Sequence, residues 1–145
     1  MDYPKSGYRF LDHITDAEIE AYGATLDECF ENAAKALEDT MVDIGTIEPQ
    51  HEAIIEVEGR DKEELLYQWL EALIARQDTE GMLFSKISCK IFKKKNGFAL
   101  ESTVSGEKFD PKKHDQKTAI KAPTLHEMLI EQSPEKAKIH FILDL

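Results

Sequence analysis

Cysteine is scarce in this chain: only Cys29 and Cys89 occur in 145 residues, and no CxxC-type pair is present. A disulfide framework or a thiolate zinc site therefore has too few ligands. One cysteine falls on an expected helix and the other on an expected strand, so both read as small buried thiols. The seven glycines are scattered, and neither GxGxxG nor GxxxxGK[ST] occurs; the familiar glycine-rich phosphate loops are thereby missing. No apolar run approaches the ~18 residues of a membrane span. Met1–Lys5 lacks the basic-then-apolar order of a signal peptide. No repeat or low-complexity tract interrupts the chain. A cytoplasmic protein with no membrane association is the default expectation.

Positive charge is also short. Eighteen basic residues face 29 acidic ones, for a formal charge of −11. A protein that grips nucleic acid alone normally carries a basic face for the phosphates, so strong direct nucleic-acid binding is not expected. Cations, or partners with basic surfaces, fit this balance better. What is present is enough apolar material, 41% of the chain, to bury the core of one domain over residues 1–145.

Tyr8–Leu11 reads as a short first strand, 12–16 as a polar turn, and Ala17–Tyr22 alternates as a half-buried strand does. Thr25 with Glu28 makes a capping box. Behind it, Leu26, Phe30, Ala33, Ala34, Leu37 and Met41 share one helical face to about Val42, with Glu31, Lys35 and Glu38 toward the other side. Ala53, Ile55 and Val57 mark a strand. Asp61 and Glu64 open a second helix carrying Leu65, Leu66, Trp69, Leu70, Leu73 and Ile74, and 77–81 follows as a loop. Ile87–Ile91 and Phe98–Ser105 pair through Lys93–Gly97, a hairpin whose Asn-Gly step tolerates positive φ. Its lysines could form a basic tip for RNA, but read more simply as a solvated turn that discourages edge pairing. A long polar loop, Gly106–Lys117, is of a length often tied to function. Strand returns over Ile120–Ile130, where Pro123 suggests an edge or a bulge. Ala137–Leu143 is the last strand. Helices early and antiparallel strands late define an α+β domain, a mostly antiparallel sheet packed on two main helices.

Three groups of residues could carry chemistry. Asp16, Asp144 and the carboxylate of Leu145 are hard oxygen donors of the kind that suits Ca²⁺, Mg²⁺ or Mn²⁺, provided the two ends of the chain meet. Two acids so far apart are no motif, and the plain alternative is a turn-capping Asp16 and a surface Asp144. Lys121 could hold a phosphate or an anionic partner group, or be an outward strand lysine. His13, His114 and His126 can be assembled into a base and its helpers on paper, but no nucleophile in a recognisable setting accompanies them.

Several blocks, in order along nearly the whole chain, resemble the archease family. These are Asp12–His13–Ile14–Thr15–Asp16 with Ala21–Tyr22–Gly23–Ala24–Thr25–Leu26, then Met41, Leu65–Leu66 and Trp69–Leu70. Gly106–Glu107–Lys108–Phe109–Asp110 with Lys113–His114 follows, then Ile120–Lys121–Ala122–Pro123–Thr124–Leu125–His126–Glu127–Met128, and finally Leu143–Asp144–Leu145. The resemblance implies a small, non-enzymatic, chaperone-like cofactor of an RtcB-type RNA ligase. Such a helper promotes GTP-dependent guanylation of the ligase in tRNA splicing or repair, keeps it turning over, and meets tRNA only through the ligase. It also implies a divalent metal, calcium first with magnesium or manganese as alternatives, on Asp16, Asp144 and Leu145. The functional lysine maps onto Lys121; Asp12, His13 and His126 are grouped with it as candidates for partner contact or nucleotide transfer. Ile14–Thr15 and Ala24 depart from the family pattern, the latter standing where an acid is common. A stand-alone metal-dependent phosphoester hydrolase and a metal-stabilised chaperone or adaptor are the competing readings.

Overall fold

The computed structural model describes residues 4–11 and 16–145. The elements run β1 (Gly7–Leu11), β2 (Asp16–Gly23), α1 (Leu26–Met41), β3 (His51–Gly59), α2 (Lys62–Glu80), β4 (Met82–Lys94), β5 (Gly97–Lys108), β6 (Ala122–Gln132) and β7 (Ala137–Asp144). The α+β class is as expected, and every strand pairing is antiparallel. The strands, however, divide into two sheets, ordered β1-β2-β7-β6 and β3-β5-β4. Each helix touches strands of both sheets. The core therefore lies where helices meet sheets, with Phe30, Leu37, Trp69, Leu70, Phe84 and Phe141 all fully buried. Among the described residues no helix is long and apolar enough to cross a membrane.

Both helices start as their sequences dictate. The Thr25 and Asp61 side chains accept from the N–H groups of Glu28 and Glu64, satisfying donors that the helix cannot. Trp69 donates its indole N–H to the Phe30 carbonyl at 3.0 Å, tying α2 to α1. Burial pushes the Cys29 thiol up to about 12 and raises that of Cys89 as well, so both stay protonated, as inert buried thiols should.

The structure departs from expectation at four places. Residues 77–80 are helical, not loop, because α2 continues until Gly81 takes the left-handed cap conformation at φ 68°. In the β4–β5 hairpin the two turn residues are Lys95 and Asn96. The positive φ, 153°, falls on Gly97 and not on Asn96. Strand β5 runs on to Lys108 and β6 begins only at Ala122, so the connecting loop covers 109–121 and holds Lys121. Finally, Glu38 is not on an outer helix face but fully buried.

Glu38 belongs to a row. Strand β4 is an edge, and its outward backbone N–H groups need acceptors. Helix α1 supplies them: Asp27 accepts from Ile91 at 3.2 Å, Glu31 from Cys89 at 2.8 Å and Glu38 from Phe84 at 2.8 Å. The Phe84 N–H is freed by a bulge at Phe84/Lys86. Gly106 permits that bulge, since a Cβ there would sit 1.7 Å from the Leu83 carbonyl oxygen.

The second oxygen of Glu38 has no hydrogen-bond partner among the described residues. Burial raises the carboxyl to about 8, more than the Phe84 bond lowers it. A raised folded-state pKa favours the protonated native form. This contribution to stability is therefore full below the unfolded value of ~4.3 and is lost as pH rises toward 8. Glu38→Gln keeps the acceptor for Phe84 and should abolish that loss, so the wild-type and variant melting temperatures diverge between pH 5 and pH 8.5 in thermal melts. Below pH 5, Glu38→Ala should cost about 2–4 kcal/mol, through the cavity and the orphaned N–H, and that cost should shrink as pH rises toward 8.

Candidate functional site

The outer face of the four-stranded sheet is built by alternation. Ile19, Ala21, Ile139, Phe141 and Leu143 point inward and are fully buried. The intervening residues of β2 and β7 must then face outward. Directly opposed residues share a face, and the β2–β7 register pairs Asp16 with Asp144, Glu18 with Ile142, Glu20 with His140 and Tyr22 with Lys138. The first residue of β2 and the last of β7 are thus neighbours at one corner of the sheet. Opposed Cα atoms in such a ladder lie ~4.5–5.5 Å apart.

Strand β6 completes the corner. Ala122 is also opposite Asp144, and the Lys121 N–H donates to the Asp144 carbonyl at 2.8 Å. Lys121 is exposed at the end of the loop, not inside a strand. Leu145 is half-buried against the core, which anchors the last residue beside Asp144. Asp12 and His13 lie outside the described residues. His126 is exposed in a bulge where β6 spends Leu125–Met128 between register positions Thr124 and Leu129. Its backbone N–H donates to Thr124 Oγ1 at 3.1 Å. Pro123 sits on this bulged edge strand, where its missing N–H does least harm.

As for a metal, no three His, Cys, Asp or Glu side chains among the described residues converge to hold one. The expected set has only two acidic side chains, its third donor being the Leu145 carboxylate. With oxygen donors alone, so sparse a set fits a hard cation that keeps several waters.

Sequence reasoning missed the groups beside this corner. His140 Nε2 lies 2.6 Å from Glu18 Oε1, and Nδ1 lies 2.7 Å from the Glu127 carbonyl. Both partners are acceptors, so both ring nitrogens must donate, which requires the imidazolium. Burial pulls the imidazole down, but the bonds to Glu18 and the Glu127 carbonyl outweigh it and raise its pKa. The Glu127 bond holds a strained residue, at φ 57°, in the β6 bulge. Further along, Glu20 accepts from Tyr22 at 2.5 Å and Arg9 at 2.6 Å and lies 3.2 Å from Lys138. Burial pushes Glu20 up, yet these partners together bring it to about 2. Alternation in 138–144 was the only signal available; which residue faced which required the register.

His114, by contrast, is structural. It is buried, its Nδ1 accepts from the Asp110 N–H, and Nε2–H donates to Glu107, each at 2.9 Å. These bonds fold the loop after β5 back on the domain. Glu107 also binds Lys113 and the Glu48 N–H; despite burial, these partners hold it near 2.

The fold is a small α+β domain of two antiparallel sheets, with Asp16 and Asp144 opposed where the ends of β2 and β7 meet. The sequence profile of the Archease protein family matches residues 8–145. Protein archease of Sulfurisphaera tokodaii is 42% identical over 138 residues, 95% of this chain and 98% of the relative. The solution structure of Methanobacterium thermoautotrophicum protein 1598 superposes with a TM-score of 0.83 at 40% identity, covering 96% of this chain and 99% of that one. A Thermotoga maritima crystal structure, described as an archease and possible chaperone, shares the fold with a TM-score of 0.60 at 18% identity, over 100% and 98% of the two chains. The chain belongs to the archease family.

Two-dimensional NMR of the imidazole nitrogens should find His140 protonated on both nitrogens at pH 7, with a titration midpoint above that of a free histidine. Glu18→Gln should lower that midpoint measurably. Because the folded value is raised, its contribution to stability is full below ~6.5 and fades as pH climbs through the midpoint. A His140 that is neutral at pH 7 would contradict the geometry.

Proposed function

We propose that the protein is a cytoplasmic helper of an RtcB-type RNA ligase. It promotes GTP-dependent guanylation of the ligase and its multiple turnover in tRNA splicing or repair, and does not catalyse the sealing itself. The observation that carries this reading is the register that sets Asp16 opposite Asp144, with Lys121 bonded to the same residue. Membership of the archease family supplies the biological setting.

On this reading Asp16, Asp144 and the Leu145 carboxylate hold a divalent cation, calcium first, with magnesium or manganese able to replace it. When bound, the cation supplies positive charge to phosphate oxygens at the partner's nucleotide site. The chain's own part is positional. The β2–β7 ladder fixes the two aspartates, and the half-buried Leu145 keeps the end of the chain beside them. Exposed Lys121 is free to reach an anionic group. Asp12, His13 and His126 are assigned to partner contact or nucleotide transfer.

Asp16→Ala and Asp144→Ala should each lower stimulation of ligase guanylation at least tenfold, measured with a cognate ligase across a titration of calcium, magnesium and manganese. Asp144 is exposed, so its variant should melt within about 0.5 kcal/mol of wild type. Undiminished stimulation by both variants would reject the cation-lending role. Variants that melt early yet still assist would instead favour a metal that only ties the strand ends together. Phosphoester turnover by the protein alone would point to a hydrolase.

A further inference from the structure

The acidic average of the chain conceals one stretch of opposite character. From Met82 to Leu100 there is no acidic residue, and Lys86, Lys90, Lys93, Lys94 and Lys95 all fall within it. In the fold this stretch is one object: strand β4, the hairpin tip and the start of β5. Lys86, Lys90 and Lys94 recur every fourth residue, so they stand on one face of β4. The register places Ser88 and Phe92 between them on that face, across from Thr103 and Ala99. Residues eight apart on a strand span about 26 Å.

Most of these lysines are uncommitted. Lys94 pairs with Glu58 at 2.7 Å, but Lys86, Lys90, Lys93 and Lys95 make no ion pair among the described residues. Lys90 lies 5.4 Å from the centroid of the half-buried Phe92 ring. At the tip the column opens into a cleft of about 380 Å³ bounded by Arg60, Lys95 and Phe98. Acidic residues flank the column on both sides: Glu101 lies across from Lys90, Glu52, Glu56 and Glu58 line β3, Asp27 and Glu31 of α1 bind the outer edge of β4, and Glu58 and Glu64 also line the tip cleft. A bound anion would thus be kept to a narrow track along the lysines and not spread over a broad basic face.

We propose that this lysine column is a contact surface for the backbone of single-stranded RNA, with Phe92 offering a ring for one base. Cations spaced along a line with an interleaved aromatic ring are how sequence-tolerant single-strand binders work, and the column's length suits the lower end of their sites, about four nucleotides. A partner protein adding a strand here is disfavoured, because the outward N–H groups of Phe84, Cys89 and Ile91 are already bound by Glu38, Glu31 and Asp27. The surrounding acidity makes the contact weak alone and useful only where a partner holds the RNA nearby. The choice of RNA over other polyanions rests on the ligase-helper reading above; the column itself does not.

The test uses a labelled single-stranded RNA of ~12 nucleotides and the whole protein, read by fluorescence anisotropy. Affinity should fall with salt at a log–log slope of about −2 to −3, as neutralising three or four phosphates on a single strand requires. Lys86→Glu with Lys90→Glu should weaken binding by at least about tenfold, while the equally charge-changing pair Lys108→Glu and Lys112→Glu should change it less than about twofold. Phe92→Ala should weaken binding with the salt slope unchanged. Circular dichroism confirms that each variant is folded. Equal losses in the two double variants, or no binding at low salt, overturn the proposal. The RNA-free guanylation assay separates the two readings. If the Lys86/Lys90 variant loses stimulation there, the column docks the protein partner instead of RNA. If wild type gives no stimulation, the helper reading fails and the binding result stands by itself.

Discussion

Three carboxylates on one side of helix α1 hold the architecture together. Asp27, Glu31 and Glu38 bind the outward N–H groups of an edge strand, so a helix does for β4 what a further strand would otherwise do. The opposite side of α1 packs on β2 and β7. One helix thereby sets how the two sheets sit relative to each other. This explains why α1 is buried almost all round despite an ordinary number of charges, and why one of those charges, Glu38, can be enclosed completely. Sealing the edge also removes the main hazard of an exposed strand, uncontrolled pairing with other chains.

With the helices and inward residues carrying the packing, the outer face of the four-stranded sheet is left to charge. It is graded: Arg9, Glu20, Tyr22 and Lys138 form a mutually satisfied group at one end, His140 and Glu18 bond in the middle, and two aspartates gather at the other end. Like charges side by side are ordinarily disfavoured. Their placement beside Lys121 is the strongest local departure from a surface designed only for folding, and departures of that kind tend to mark sites of function.

Much of this was legible in the residues. Capping boxes at Thr25 and Asp61 gave the helix starts, alternation gave the strands, and Pro123 marked a bulged edge. The two-sheet division was not legible, because period-two patterns give each strand a face but not a neighbour. Glu38 escaped for a related reason: a carboxylate reads as a surface residue unless its partner, here a backbone N–H at a bulge 46 positions away, is known. The helical end of α2 was obscured by polar residues Gln77–Glu80, which suit an exposed last turn as well as a loop. His140 was passed over while His114 was considered, yet His114 clamps a loop and His140 joins the β6 bulge to Glu18.

The position of Asp16 opposite Asp144 has a consequence for where damage can arise. A strand slipped by a single residue turns its whole pattern over. The two acids owe their meeting point to Ile19, Ala21, Ile139, Phe141 and Leu143 on the far side of the same strands. Small changes in those greasy contacts would misalign the pair while leaving each carboxylate chemically intact.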